Sequence, residues 1–305
     1  MGLFSKPTAR ALSILELLMA NPQHAFGLTE MTRRLGLNKA TCHSILSTMA
    51  RYGFLVQDPR SRAYRLGPSI VAAGKAAFAQ FPILEHARPE LEALTSELKI
   101  GCGAVGRTAR HIVLLTQYGS SSPLDSPYQL GLRLPNMAPI GACFIAWSPA
   151  PQLEAWLAAG HEQLGGLDDR LDQRLRLSVV AIRARGFDVT LRTRAEDHLA
   201  EGLARLQEHW SAEELESIVH RYQRELCSET YRLDRIDPRG HYSVCNISVP
   251  VFGDREEPAL NFTAGNISKD LRGSDIIDIA HRLEQSAQRV ATAARKSVPM
   301  LDREA

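Results

Sequence analysis

Residues 29–51, TEMTRRLGLNKATCHSILSTMAR, constrain this chain more than any other stretch. Two short runs with helical periodicity meet at Gly36, and glycine tolerates the positive φ that a tight turn demands. In the second run Cys42, Ile45, Leu46 and Met49 recur at i, i+3, i+4 and i+7, which defines one buried face. The opposite face carries Ala40, Ser44, Ser47 and Arg51, flanked by Thr41 and His43. Asn38 is placed to cap this helix, and Thr29 to cap the one before it. Two helices around a tight turn, the second bearing short polar side chains, can lay that second helix in a DNA major groove.

The flanks extend the pattern. Leu12, Leu15, Leu18 and Met19 predict a helix over 9–20, closed by Asn21-Pro22 because the residue before proline leaves the helical region. Residues 54–56 and 62–66 alternate around a polar turn and predict a β-hairpin with Arg60 and Arg62 at its tip. A helix-turn-helix followed by a basic hairpin is a winged helix. Residues 1–80 hold ten Lys/Arg against three Asp/Glu, a balance of +7, whereas the remainder is at −5. That asymmetry fits a polyanion-binding head, with chance surface charge as the plain alternative. On pattern alone the module reads either as a DNA reader or as a protein-docking unit. As a DNA reader it would use Arg33 and Arg34 on phosphates. Asn38, Lys39, Ala40, Thr41, His43, Ser44, Ser47 and Arg51 would lie in the groove, and Arg60 and Arg62 would act from the wing.

At 305 residues the chain has room for a second domain. An alanine-rich helix over 67–81 ends at Pro82 and serves as linker, through close helix contact in a dimer or as a spacer. Beyond it strands at 102–106, 111–118, 129–134, 187–191, 242–252 and 259–264 mix with helices at 83–99, 141–147, 151–159, 168–185 and 274–296. This is an α+β domain. Residues 192–241 hold two amphipathic helical patterns, one with Leu199, Leu203 and Leu206, the other opened by a capping box at Ser211. They are a lid over a ligand site, a subunit contact or an enlargement of the core.

Several chemistries lack their residues. Gly101–Gly106 matches GxGxxG, but a helix precedes it and a strand follows, the reverse of the dinucleotide-binding order. No HExxH or CxxC supports zinc, and no GxSxG elbow supports a serine nucleophile. No cofactor is expected. The five scattered cysteines, the lack of an apolar run of ~18 residues and the lack of a secretory leader point to a reduced cytoplasmic protein away from membranes.

Residues 11–74, with LSILELL, LTEMTRRLGLNKATCHSILSTMARYGFL and YRLGPSIVAAG, resemble the N-terminal domain of the IclR family of bacterial transcription regulators, and a weaker resemblance runs to near 295. The resemblance implies a winged helix over 1–66, a linker helix over 67–81 and a GAF-like effector-binding domain over 82–298 with a helical insertion at 192–241. It also implies a non-enzymatic regulator that binds a double-stranded operator as a homodimer or dimer of dimers and responds to a small organic effector. The family commonly has an arginine where this chain has Ser44, so no operator sequence carries over. By resemblance the effector would meet Met137, Ala138, Ile140, Gly141 and Ala142, then Cys245 and Asn246 on one strand and Asn261 and Thr263 on another. Met137, Pro139 and Cys143 replace the family's polar residues. The segment either packs or takes a less polar ligand, an aromatic, alicyclic or steroid-like acid. The rival reading is an enzyme-like GAF domain that binds or transforms a metabolite, with the N-terminal module as a docking unit.

Overall fold

The computed structural model describes residues 5–79, 82–108, 110–119, 132–166, 168–208, 212–253, 256–267 and 270–297. The chain divides into two compact units, Met1–Phe81 with Gly202–Ile218, and Pro82–Glu201 with Val219–Ala305.

The first unit opens with α1 (Lys6–Ala20), capped by Ser5, whose hydroxyl accepts from the Thr8 N–H. Next come α2 (Leu28–Arg34), α3 (Lys39–Arg51), β1 (Leu55–Gln57), β2 (Tyr64–Leu66) and α4 (Pro68–Ala79). Ile14, Leu17 and Leu18 of α1 meet Met31 of α2, Cys42, Leu46 and Met49 of α3, and Phe26, Leu55 and Tyr64 in one core. Thr29 does not cap α2. The helix starts at Leu28 with Gly27 as N-cap, because Phe26 is held in a backbone bridge to Tyr64, with N–H···O distances of 3.1 and 2.8 Å. That bridge fixes where the chain can turn into the helix. Asn38 does cap α3, its side-chain oxygen accepting from the Thr41 N–H at 2.8 Å. Asn38→Ala is expected to destabilise this unit by about 1 kcal/mol, read as a lower midpoint in urea at unchanged slope.

The second unit begins with α5 (Pro82–Leu98), β3 (Gly101–Arg107), β4 (His111–Tyr118), β5 (Arg133–Pro135), α6 (Ala142–Ile145), α7 (Ala150–Leu164), α8 (Asp169–Arg185) and β6 (Asp188–Leu191). It continues with α9 (Arg194–Glu208), α10 (Ala212–Ser228), β7 (His241–Tyr242), β8 (Val244–Phe252), β9 (Pro258–Gly265), β10 (Leu271–Arg272) and α11 (Gly273–Ser297). The apex of the α9–α10 pair, Gly202–Ile218, groups with the first unit. The expected strand 129–134 is β5, and its first three residues lie outside the described ones, as does the Ser211 cap. The expected helix 141–147 shrinks to the one turn of α6, entered through Gly141 at φ +87°. No helix among the described residues is long and apolar enough to cross a membrane.

Six strands form one antiparallel sheet in the order β5-β4-β3-β9-β8-β6. Side chains alternate between the faces of a strand, and the register decides which residues share a face. Val189, Ile247, Val249, Val251, Leu260, Phe262 and Ala264 form the apolar face, which packs with residues of α5 and α11 in the main core. The other face is polar. Asp188, Ser248, Thr263 and Gly103 lie side by side across four strands, and Thr190, Asn246, Gly265 and Gly101 form the next row. Over this region α6, α7 and α8 make a second cluster around Trp156, Leu175 and Ile182.

Candidate functional site

On the first unit, the apolar residues of α3 face the core and leave Lys39, Ala40, His43, Ser44, Ser47 and Arg51 exposed, with Thr41 half-buried and Asn38 exposed at the cap. No acidic residue lies on α3. Its surface is therefore small, polar and cationic at both ends, which suits approach to a phosphate-lined groove.

The wing is shaped by one carboxylate. Asp58 Oδ1 accepts from the Arg60 N–H at 3.0 Å, the Ser61 N–H at 2.7 Å and the Ser61 hydroxyl at 2.9 Å. The Ser61 bonds hold the Asp58 carboxyl below its ordinary range. Arg62 adopts φ 59°, and its carbonyl accepts from Gln57 Nε2 at 2.9 Å. The tip so fixed leaves Arg60 and Arg62 exposed. Arg33 is exposed as well, but Arg34 is not a free phosphate ligand. It is bound to Glu30 at 2.8 Å, with its side chain 12% exposed, and its guanidinium lies 5.0 Å from the centre of the Phe26 ring. An acid four residues earlier on the helix takes the cation that the sequence suggested for DNA.

On the second unit, the polar face of the sheet floors a cavity of about 190 Å³. Trp156 Nε1 donates to the Ile140 carbonyl at 2.7 Å, and Ala138 N–H donates to the Trp156 carbonyl at 3.1 Å. These bonds hold residues 138–142 at the cavity's edge. Gly160 lets α7 come close there, since a Cβ would lie 2.7 Å from the Ala138 Cβ. Ile112, Leu114, Leu132, Leu134 and Phe144 give apolar wall, and Glu196, Tyr222 and Leu226 close the cavity from α9 and α10.

The polar groups of the cavity are largely committed to one another. Arg232 Nε donates to Asp188 Oδ1 at 2.9 Å, and both side chains are about 5% exposed. Arg232 also donates to the Tyr231 hydroxyl at 2.9 Å, which in turn donates to the Pro139 carbonyl at 3.3 Å. Burial opposes the Arg232 charge, but Asp188 and Tyr231 more than offset it, so its pKa lies above the usual value. Glu196 accepts from the Thr193 N–H at 2.8 Å and from the Thr193 hydroxyl at 2.5 Å, a capping box for α9. Its other oxygen accepts from the Tyr222 hydroxyl at 3.3 Å. Burial raises the Glu196 pKa against these bonds. Two buried oxygens on the cavity lining have no partner among the described residues, Asn261 Oδ1 and Thr190 Oγ1.

Of the residues assigned to an effector by resemblance, Ile140, Gly141, Ala142, Cys245, Asn246, Asn261 and Thr263 line this cavity. Met137 and Ala138 do not. Ala138 is fully buried in the cluster around Trp156, because the segment turns it toward the close approach of α7. Cys143 lines the cavity, and burial pushes its thiol well above the ordinary value, so it stays protonated there. The sequence reading missed Asp188, Glu196, Tyr222, Tyr231 and Arg232. Glu196 carried a local signal, the Thr193-x-x-Glu196 capping pattern, and Tyr222 and Leu226 lay on the apolar stripe of the second helical pattern in 192–241. The Gly101–Gly106 motif lies in β3 between a helix and a hairpin partner, and Gly101 and Gly103 lie on the cavity floor.

A winged helix joined to an α+β unit with a ligand-sized cavity is a two-part architecture. Residues 7–59 match the model of the IclR helix-turn-helix domain. The chain is similar to the HTH-type transcriptional regulator XynR of Escherichia coli K12, at 30% identity over 155 residues, covering 48% of this chain and 59% of that protein. It thus spans about three-fifths of the length of that curated relative. A solved IclR transcriptional regulator from Alicyclobacillus acidocaldarius shares the fold at TM-score 0.64 and 21% identity, covering 96% of this chain and all of the other. An IclR homologue from Microbacterium hydrocarbonoxydans, solved with 4-hydroxybenzoate, does so at TM-score 0.62 and 15% identity, covering 96% of this chain and 100% of its own. Residues 7–59 thus carry an IclR-type helix-turn-helix domain, and the chain as a whole shares the fold of solved IclR regulators.

Proposed function

We propose that this protein is a DNA-binding transcriptional regulator whose affinity for a double-stranded operator is set by a small organic effector. The observation that carries the reading is the exposed, acid-free face of α3, held rigid by its core and flanked by a fixed wing with Arg60 and Arg62. Acting as a homodimer or dimer of dimers in the cytoplasm, it would place two such faces on a pseudo-palindromic site. Arg33, Lys39, Arg60 and Arg62 supply phosphate contacts, while His43, Ser44 and Ser47 reach base edges. Arg34 is left out, since Glu30 holds it.

The effector occupies the cavity over the polar sheet face. An engineered cavity of roughly 150 Å³ holds benzene, so about 190 Å³ here fits one aromatic or alicyclic ring with a substituent. The complex of a homologue with 4-hydroxybenzoate is in keeping with that size. A one-ring ligand is the aromatic or alicyclic part of the class expected from sequence. Ligand acts on DNA affinity only if it binds one of two conformations better.

The test is fluorescence anisotropy on labelled DNA from upstream of the protein's own gene, repeated from 50 to 300 mM salt. Four phosphate contacts per protomer of a dimer neutralise about eight phosphates, and log K should then fall with log salt at a slope near −7. A slope near zero would rule out the DNA reading.

A further inference from the structure

We infer that the effector of this cavity is an uncharged one-ring alcohol or phenol that donates a hydrogen bond, and not a carboxylate. The inference rests on the cavity being the effector site, and it replaces the acid expected from sequence with a neutral ligand. Among the described lining residues the charged ones are Asp188, Glu196 and Arg232. Arg232, the cation among them, is already bound to Asp188 at 2.9 Å and to the Tyr231 hydroxyl. The lining is therefore neutral with Glu196 protonated and negative with Glu196 ionised. A ligand carboxylate would be buried against two carboxyl groups with no unpaired cation among those residues, and a buried charge needs a partner.

What the lining offers instead is a pair of buried oxygens without partners among the described residues. Asn261 is 4% exposed, and its Oδ1 has no partner. It lies on β9 one alternation along from Thr263, on the polar face of the sheet. Thr190 Oγ1, on β6 at the other side of that face, is likewise unpartnered. Buried polar groups normally find a partner, and the Asn261 amide oxygen can take only a donor, the Thr190 hydroxyl either kind. A hydroxyl on an apolar ring supplies one, while the ring lies against walls such as Ile112, Leu114, Phe144 and Leu226. A phenol, with a pKa near that of tyrosine, stays protonated at neutral pH.

The experiment uses the full chain and two matched pairs of probes at pH 7: 4-ethylphenol with 4-ethylbenzoate, and cyclohexylmethanol with cyclohexanecarboxylate. Isothermal titration should show the hydroxyl member of each pair binding at least about tenfold tighter. Asn261→Leu should remove about tenfold of the hydroxyl ligand's affinity and little of the benzoate's. A second variant, Thr263→Phe, fills the cavity, and a thermal melt shows that it folds. Tighter binding of the carboxylates, abolished by Thr263→Phe, overturns the neutral-ligand inference and leaves the cavity as the effector site. Binding of any probe that survives Thr263→Phe unchanged, or no binding by all four, overturns both the site and the inference.

Discussion

Asp188→Asn is expected to be the most damaging single exchange of one polar side chain in the second unit, and Arg232→Met the next. The pair is buried, with both side chains about 5% exposed, and a third charge stands beside it: Arg185 lies 3.7 Å from the same Asp188 oxygen. Removing one partner of a buried ion pair costs about 3–5 kcal/mol, because the other charge is left without compensation in a poor solvent. The two substitutions are not equivalent. Arg232→Met leaves Asp188 with Arg185, so its cost falls near the lower end, about 3 kcal/mol. Asp188→Asn leaves two guanidinium groups facing one another, and its cost should reach about 5 kcal/mol. Burial already depresses the Arg185 pKa, and Asp188 is the main group working against that. Urea unfolding of the two single variants and the double variant measures the coupling directly. An Arg232→Met protein within about 1 kcal/mol of the parent would show that the pair does not anchor the second unit.

That anchor also marks where the sequence ceases to speak. The fold of each unit is written in local patterns. A stripe at i, i+3, i+4 and i+7 placed α3, and Asn38 placed its start. Strand patterns at 242–252 and 259–264 placed β8 and β9, while Asn246, Asn261 and Thr263 came from the resemblance and the register sets them on the face that lines the cavity. The segment 134–143 is assigned to an effector by resemblance alone, and of its residues Met137 and Ala138 lie off the cavity lining, where a turn decides which side chains look inward. Asp188 and Arg232 are 44 residues apart, and each alone reads as an ordinary exposed charge. Nothing local says that a strand and a loop bring them together. Tyr222 and Leu226 were visible as the apolar face of a helix, but an apolar face does not say whether it covers a ligand, a core or a neighbour. Arg34 is the opposite case. The local signal existed, since Glu30 precedes it by one helical turn, and the exposed-cation reading passed over it.

The departure at Ser44 turns the reading helix into a sharp experiment. Ser44 is exposed on α3, one turn from Ala40 and from Ser47, so substitutions there should leave stability within about 0.5 kcal/mol of the parent. Ser44→Glu puts a carboxylate on the face that would approach the phosphates. Like charges brought together across an interface cost several kcal/mol. An operator affinity lower by at least ~100-fold follows, equal to about 2.7 kcal/mol. Ser44→Arg does the reverse. It restores the residue type common in the family at that position and adds one phosphate or guanine contact per protomer. Affinity at low salt should rise about tenfold, and a phosphate contact should steepen the salt slope by about one for each protomer. The two outcomes separate contact with phosphate from contact with a base. A gain that vanishes on scrambled DNA at unchanged slope belongs to a base, and a gain shared by all sequences with a steeper slope belongs to the backbone. If the Glu variant bound operator as the parent does, α3 would not lie in the groove at Ser44. The exposed face would then have to serve some other surface than DNA.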